Sequence, residues 1–273
     1  MKPLFKWSGG KTKEIGKIVP LLPKQYDEYY EPFIGGGALW FHLMPGASHI
    51  NDNYKAVANF YSVLKQDPNK LINHLNSIAD SYNKEDKSTK AKAEVVAKNY
   101  YYAYRDTTYS NSFDEAVQFY ITRQLSFSGM LRFNSDGKFN VPYGWYKKLK
   151  KISINAKEIT SLMNNTSVTN LDWKDAISSA KANDFVFLDP PYTRVFTKYH
   201  PDGSFGKKEH QDLALWFASK QAKAMIVINK DDFTYGLYQP WIVKTYSHGY
   251  SIRYRDRLST NDATTEHIIA INY

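Results

Sequence analysis

The chain has 273 residues, 36 Lys and Arg against 27 Asp and Glu for a net charge of +9, no cysteine, and 16% aromatic residues including 22 tyrosines. Zero cysteines exclude disulfides, thiolate zinc sites and a cysteine nucleophile, and no apolar run reaches about 18 residues and no leader-like h-region opens the chain, so no membrane span or secretion signal is expected. The basic excess points to a polyanionic partner and the aromatic content suits base stacking, so the expectation is a cytoplasmic protein, or one of a host cytoplasm if a virus encodes it.

Residues 5–11, FKWSGGK, form a glycine-centred turn that opens a helix, with Ile15, Ile18, Val19 and Leu22 at helical spacing before Pro23. Gly10-Lys11-Thr12 imitates the end of a phosphate-binding loop, but the motif's earlier glycine would fall on Phe5, so a nucleoside triphosphatase is rejected. Lys11 remains able to pair with a ligand carboxylate, and Trp7 to lie against an adenine ring. Residues 29–41, YYEPFIGGGALWF, read as a short strand, a glycine run and an apolar helix, an arrangement in which backbone approaches a ligand closely and helix N–H groups face it. Residues 48–53, SHINDN, read as a second short strand ending in Asp52, where nucleoside-binding α/β folds place an acid for ribose hydroxyls.

From Tyr54 to about Tyr120 the periodicity is helical with polar faces and no convincing strand, and residues 84–98 form a charged, solvated stretch. Such a segment inside an α/β chain suggests an inserted helical domain. Residues 127–146, FSGMLRFNSDGKFNVPYGWY, carry the turn signal Asn134-Ser135-Asp136-Gly137 between residues of strand type, which predicts a hairpin or ordered loop. Arg132, Asn134, Lys138 and Asn140 stand there among Phe127, Phe133, Phe139, Tyr143 and Trp145, followed by Lys147, Lys148, Lys150 and Lys151. Basic side chains interleaved with aromatics suit a DNA-reading element flanked by phosphate contacts, although a lysine cluster is also an ordinary solvated surface.

The α/β rhythm returns after Ile152, with a helix expected over 155–164, a strand over 167–171 and a helix over 173–180. Residues 184–192, DFVFLDPPY, then run four buried-strand residues, Phe185 to Leu188, into a carboxylate, two prolines and a tyrosine. Prolines cannot donate to a ladder, so the strand ends at its carboxyl edge, where open α/β sheets hold ligands. Asp189 can accept one N–H of an exocyclic amine and the Pro190 carbonyl the other, while Tyr192 offers a stacking face: a nucleobase-amine site. The same tetrapeptide is also a common way to leave a strand, and the strand before it favours the functional reading. Residues 193–206, with Tyr199, His200 and Gly203, read as a flexible loop able to cover a ligand. A helix over 207–221, a buried strand over 225–229 and closing strands over 241–246 and 266–273 complete the chain, with Arg253, Arg255 and Arg257 alternating toward phosphate. The seven histidines show no ligand spacing on one helix face, so no metal is expected.

With FKWSGGK, EPFIGGG, Asp52, RFNSDGKFNVPYG and DPPY in this order, the chain resembles the Dam-type (D12 class) DNA adenine-N6 methyltransferases over nearly its whole length. The resemblance implies an α/β fold: a Rossmann-like AdoMet-dependent methyltransferase sheet with an inserted, mainly helical DNA-recognition domain carrying a β-hairpin. The catalytic domain would comprise residues 1–54 and 147–273, and the recognition domain residues 55–146. The resemblance further implies S-adenosylmethionine contacts from Trp7, Lys11, Asp52, Asp189 and the glycine-loop residues Glu31, Phe33, Gly35 and Gly37. Asp189, Pro190, Pro191 and Tyr192 match the catalytic tetrapeptide. Among the DNA contacts, Phe127 stands where an aromatic inserts into the base stack, Met130 where a leucine touches a base, and Arg132, Pro142 and Lys6 at base-contacting positions; Asn134 joins them from the hairpin reading.

By the same resemblance the acceptor is N6 of an adenine in double-stranded DNA and GATC is the favoured target; because a duplex hides the amine from attack, the adenine is expected to be flipped out. Two departures bear on target and affinity: Trp145 stands where Dam-like sequences often carry a phosphate-holding arginine, and Ser128 replaces an asparagine. Cytosine-N4 or RNA-adenine methylation and a silent DNA-binding protein stay open as alternatives. The expected partner is double-stranded DNA, joined by a cognate restriction endonuclease where the two form one system; no membrane contact is expected, and the chain is expected to be a monomer.

Overall fold

The computed structural model describes residues 1–192, 205–249 and 264–273; the loop residues Tyr199, His200 and Gly203 and the arginines Arg253, Arg255 and Arg257 lie outside the described residues. Seven strands, β1 (Tyr29–Glu31), β2 (Ser48–Asn51), β3 (Thr166–Thr169), β4 (Phe185–Leu188), β5 (Lys223–Asn229), β6 (Ile242–Gly249) and β7 (Thr264–Ile271), make one sheet of order β3-β2-β1-β4-β5-β7-β6. The first five pair in parallel, and β7 runs antiparallel to both β5 and β6. This is the α/β methyltransferase-type sheet that the sequence led us to expect.

The central strands read as continuous apolar runs because both of their faces are covered. Phe185, Phe187, Met225 and Val227 enter one core cluster, and Val186, Leu188, Ile226 and Ile228 the other, as the period of two requires. The strand order reverses direction at β1, with β2 and β3 on one side and β4 and β5 on the other. That switch opens a crevice beyond the carboxyl ends of β1 and β4.

The helices Lys55–Gln66, Pro68–Lys84 and Ser112–Leu125 follow the expected helical stretch. Asp67 starts the second of them, its side chain accepting from Lys70 N at 2.9 Å, with Pro68 in the first turn where its missing N–H is not needed. Phe60, Tyr61, Leu71 and Tyr120 belong to the same cluster as Phe185, so one core runs from the sheet through these helices. The Lys90–Val96 helix continues through a π turn at Ala97–Tyr102 into Ala103–Arg105.

Several boundaries differ from expectation for local physical reasons. The Asn51 side chain donates to Leu171 O at 3.0 Å and accepts from Leu171 N at 2.8 Å, so residue 171 leaves the ladder and β3 ends at Thr169. The first helix breaks into Lys11–Lys13, Ile15–Ile18 and Val19–Leu21, the last a 3-10 turn around Pro20, which has no N–H to continue an α-helix. The helix expected at 173–180 stops at Ala176. An unforeseen helix, Asp232–Tyr238, forms where Asp231 accepts from Thr234 N at 2.8 Å while Thr234 Oγ1 accepts from Asp231 N at 3.0 Å. The hairpin is held by isolated bridges, Ser126 to Tyr143 and Phe133 to Phe139, rather than by regular strands.

Candidate active site

A cavity of 690 Å³ lies over the carboxyl ends of β1, β2 and β4, walled by residues 7–11, the glycine loop, Asp52 and the DPPY tetrapeptide. The glycines are required by geometry: Gly35 and Gly37 have φ of +44° and +65°, and a Cβ at Gly35 would overlap the Trp7 indole. Trp7 therefore seals the loop from one side. Asp52 fixes it from another, since its Oδ2 accepts from Gly35 N and its Oδ1 from Tyr54 N, each at 2.9 Å.

Lys11, 2% exposed, crosses the cavity floor: its Nζ donates to Asp189 Oδ1 at 2.5 Å, Tyr192 Oη at 2.8 Å and Gly9 O at 2.9 Å. The lysine proposed for a ligand carboxylate thus pairs with the DPPY carboxylate. Burial holds the Asp189 carboxyl above its ordinary range, with the Lys11 ammonium only partly opposing the shift. Glu31, at the end of β1, accepts from Tyr29 Oη at 2.6 Å, and burial, with Asp189 adding to it, raises its carboxyl to about 8. Glu14 lies next to this pair. Burial alone would raise its carboxyl, but His267, Lys11 and Tyr246 outweigh that and bring it to about 2. His267 Nδ1 lies 2.7 Å and His248 Nδ1 3.7 Å from Glu14, a grouping that no local spacing of the histidines announced.

These features sit in a chain whose sequence can be compared with known proteins. The sequence profile of the D12 class N6 adenine-specific DNA methyltransferases matches residues 7–253. The chain belongs to that family. It is 30% identical over 276 residues to the Type II methyltransferase M.CviBI of Paramecium bursaria Chlorella virus NC1A, covering 100% of each. It is 32% identical over 242 residues to M1.LlaDCHI of Lactococcus lactis subsp. cremoris, 84% of this chain and 80% of that one. The Serratia marcescens DNA adenine methylase is 26% identical over 270 residues, 95% of this chain and 93% of its own. Among the readings open from the sequence, an adenine-specific DNA methyltransferase is the one this family carries, and DNA is the substrate it implies. No helix among the described residues is long and apolar enough to cross a membrane.

In this methyltransferase the other sequence-selected residues divide by position. Glu31, Phe33, Pro190 and Pro191 line the cavity, with Phe33 edge-on to Phe205 at 5.4 Å. Phe127 is 49% exposed beside the hairpin, its N–H held by Pro142 O at 2.8 Å. Met130 follows the short turn that contains Ser128 at φ 53°. Asn134 Oδ1 accepts from Asp136 N and Lys138 N at 3.1 and 2.8 Å, so it shapes the hairpin tip. Lys6 lies folded inward, Nζ on Gln124 O at 2.7 Å and 3.5 Å over the Tyr146 ring.

Sequence reasoning missed Arg123. It is 1% exposed, borders the cavity, and lies 5.4 Å from the Trp7 ring. Its guanidinium donates to Met130 O at 2.6 Å, to Gly129 O, and to Lys6 O at 3.3 Å, gathering the hairpin base and the segment before Trp7 onto one side chain. A charged residue within the buried face of a helix was the available signal.

Proposed function

We propose that this methyltransferase moves a methyl group from S-adenosylmethionine to N6 of an adenine flipped out of double-stranded DNA, within GATC. The observation that carries the reading is the seat of Lys11 Nζ on Asp189 Oδ1: the carboxylate meant for an amine already holds an N–H donor on the cavity wall. The cavity volume lies within the range of small-molecule sites, and its glycine wall with Asp52 fits a nucleoside. In this reading Asp52 receives ribose hydroxyls, and Trp7, Phe33 and the glycine loop enclose the donor. When bound, S-adenosylmethionine supplies a methyl group made electrophilic by its sulfonium.

The protein's part is orientation. The adenine N6 lone pair is delocalised into the ring, and the base is hidden in the duplex until flipping exposes it, at a cost of about a few kcal/mol. With Lys11 on Oδ1, Asp189 keeps Oδ2 for one N6 hydrogen, and the Pro190 carbonyl takes the other. Two such bonds favour a pyramidal nitrogen with its lone pair directed out of the ring plane. Tyr192 stacks on the base. The N6 proton becomes acidic only once the nitrogen is alkylated, so Asp189 need not act as a general base in the attack. Arg132 reads a guanine, with each good bidentate pair contributing about 1–3 kcal/mol of discrimination. Phe127 fills the gap in the stack, while Met130, Asn134 and Pro142 complete the DNA-facing set, which Lys6, folded inward on Gln124 O, joins by swinging out. We assign catalysis to residues 1–54 and 147–273 and recognition to residues 55–146, a functional division through one shared core.

Single-molecule sequencing of DNA from a methylation-free host expressing the protein tests this directly. N6-methyladenine confined to GATC is expected. Another motif would overturn the target alone, and absence of modified adenine from a folded, expressed enzyme would overturn the reading.

Two further results are expected. Asp52→Ala should weaken S-adenosylmethionine binding about 10- to 100-fold, the effect of losing hydrogen bonds to a charged group, as read by calorimetry; unchanged affinity would remove Asp52 from the donor site. Burial, with Lys150 and Arg123 as neighbouring cations, brings the Lys6 ammonium down to about 8 from an unfolded value of 10.5. Between those values the unfolded chain binds more protons, so Lys6 makes stability rise with pH there, while the charge it offers DNA disappears. DNA affinity should therefore fall between about pH 7 and about pH 9 at fixed ionic strength, with a shallower fall in Lys6→Met. Identical pH profiles for the two proteins would remove Lys6 from the interface.

A further inference from the structure

We infer that Asn140 is the positioning residue that selects which edge of Arg132 meets the DNA, and so fixes the base read at that position. The inference rests on the proposed base-reading role of Arg132. The two residues face each other across the hairpin, one step outside the Phe133 to Phe139 bridge. Asn140 N donates to Arg132 O at 3.0 Å. In return, Arg132 Nε donates to Asn140 Oδ1 at 2.8 Å and Arg132 Nη2 to Asn140 O at 2.9 Å.

A guanidinium carries five N–H donors in one plane, and these divide into a side edge, Nε with the near hydrogen of Nη2, and an end edge formed by Nη1 and Nη2. Asn140 closes the side edge with two acceptors from a single residue. The end edge is the one presented. Its two parallel donors match two adjacent acceptors, the O6 and N7 of guanine in the major groove, whereas adenine offers one acceptor and one donor there. Arg132 is exposed, so burial does not set its direction; the Asn140 contacts do.

The pair is also tied to the cavity. Phe133 rests edge-on against Tyr54 at 5.9 Å, and Tyr54 N is the group held by Asp52 Oδ1. The braced arginine therefore stands in a fixed relation to the wall of the proposed donor site. Asn140 contributes to specificity through Arg132 without itself reading a base.

The test compares methylation rates of the full-length enzyme on duplexes carrying its sequenced target and on duplexes in which each base pair of that target is replaced in turn. Wild type, Arg132→Ala, Asn140→Ala, Asn140→Asp and the double alanine variant are measured. Asn140→Ala is expected to lose about tenfold of the discrimination at the base pair where Arg132→Ala loses it, and to keep discrimination elsewhere. The double variant should be no less specific than Arg132→Ala alone, because the two side chains act as one unit. Asn140→Asp keeps the acceptor and should keep the discrimination. Unmoved S-adenosylmethionine affinity in Asn140→Ala, by calorimetry, shows that any loss does not come from a damaged fold. A uniform loss on all duplexes with a reduced salt slope would make Asn140 a phosphate contact and overturn the inference, as would additive effects in the double variant. If Arg132→Ala itself leaves the pattern of discrimination intact, the base-reading role falls first and the inference with it.

Discussion

Asp189→Ala is expected to lower the rate of methyl transfer by about 10³-fold or more while binding of S-adenosylmethionine and of DNA stays measurable. Removing a single preorganised group at a reacting centre commonly costs about 10²–10³ in rate, and Asp189 has two tasks: it would accept an N6 hydrogen, and it holds Lys11 at 2.5 Å. The substitution leaves Lys11 with the Tyr192 hydroxyl and the Gly9 carbonyl, at 2.8 and 2.9 Å, so the cavity floor keeps its lysine. Asp52 and the glycine loop are untouched. Asp189→Asn isolates the charge: an amide of the same shape has lost the negative charge that Lys11 faces, and it should also be nearly inactive. Single-turnover transfer of a labelled methyl group, beside calorimetry with a non-reactive donor analogue, separates chemistry from binding. Transfer within about tenfold of wild type would remove Asp189 from the catalytic role.

The second large effect is on stability. Arg123→Met keeps the apolar length of the side chain and deletes every donor, leaving carbonyls of Lys6, Gly129 and Met130 without the guanidinium that gathers them. Gly129 O keeps the Ser8 hydroxyl at 3.3 Å, and each acceptor left without a partner costs about 1–3 kcal/mol, so a loss of about 2 kcal/mol or more is expected in urea unfolding. Because these carbonyls belong to the segment before Trp7 and to the base of the hairpin, the variant should also bind DNA more weakly than its remaining stability explains. An unchanged unfolding midpoint would show that solvent or neighbouring groups satisfy those carbonyls.

Much of the candidate site could be read from the chain because its signals are local. The strand before DPPY ends at Leu188 as the prolines dictate, and Gly35 and Gly37 adopt the positive φ that a glycine run invites. Asp52 follows β2 directly and reaches back to Gly35. Element boundaries were less legible where a side chain from elsewhere intervened, as Asn51 does at Leu171.

The sequence by itself determined the α/β character, the order of the motifs and the family, since each rests on burial period, backbone sterics or a short string of residues. Only the tertiary structure decided which distant groups meet. Lys11 and Asp189 are 178 residues apart, and Glu14 and His267 are 253 apart. The insertion of β7 between β5 and β6, the burial of Arg123 against both Lys6 and the hairpin, and the inward fold of Lys6 likewise appear only in three dimensions. The reason is physical: such pairings depend on loop closure and on packing across the whole core, and no window along the chain contains both partners.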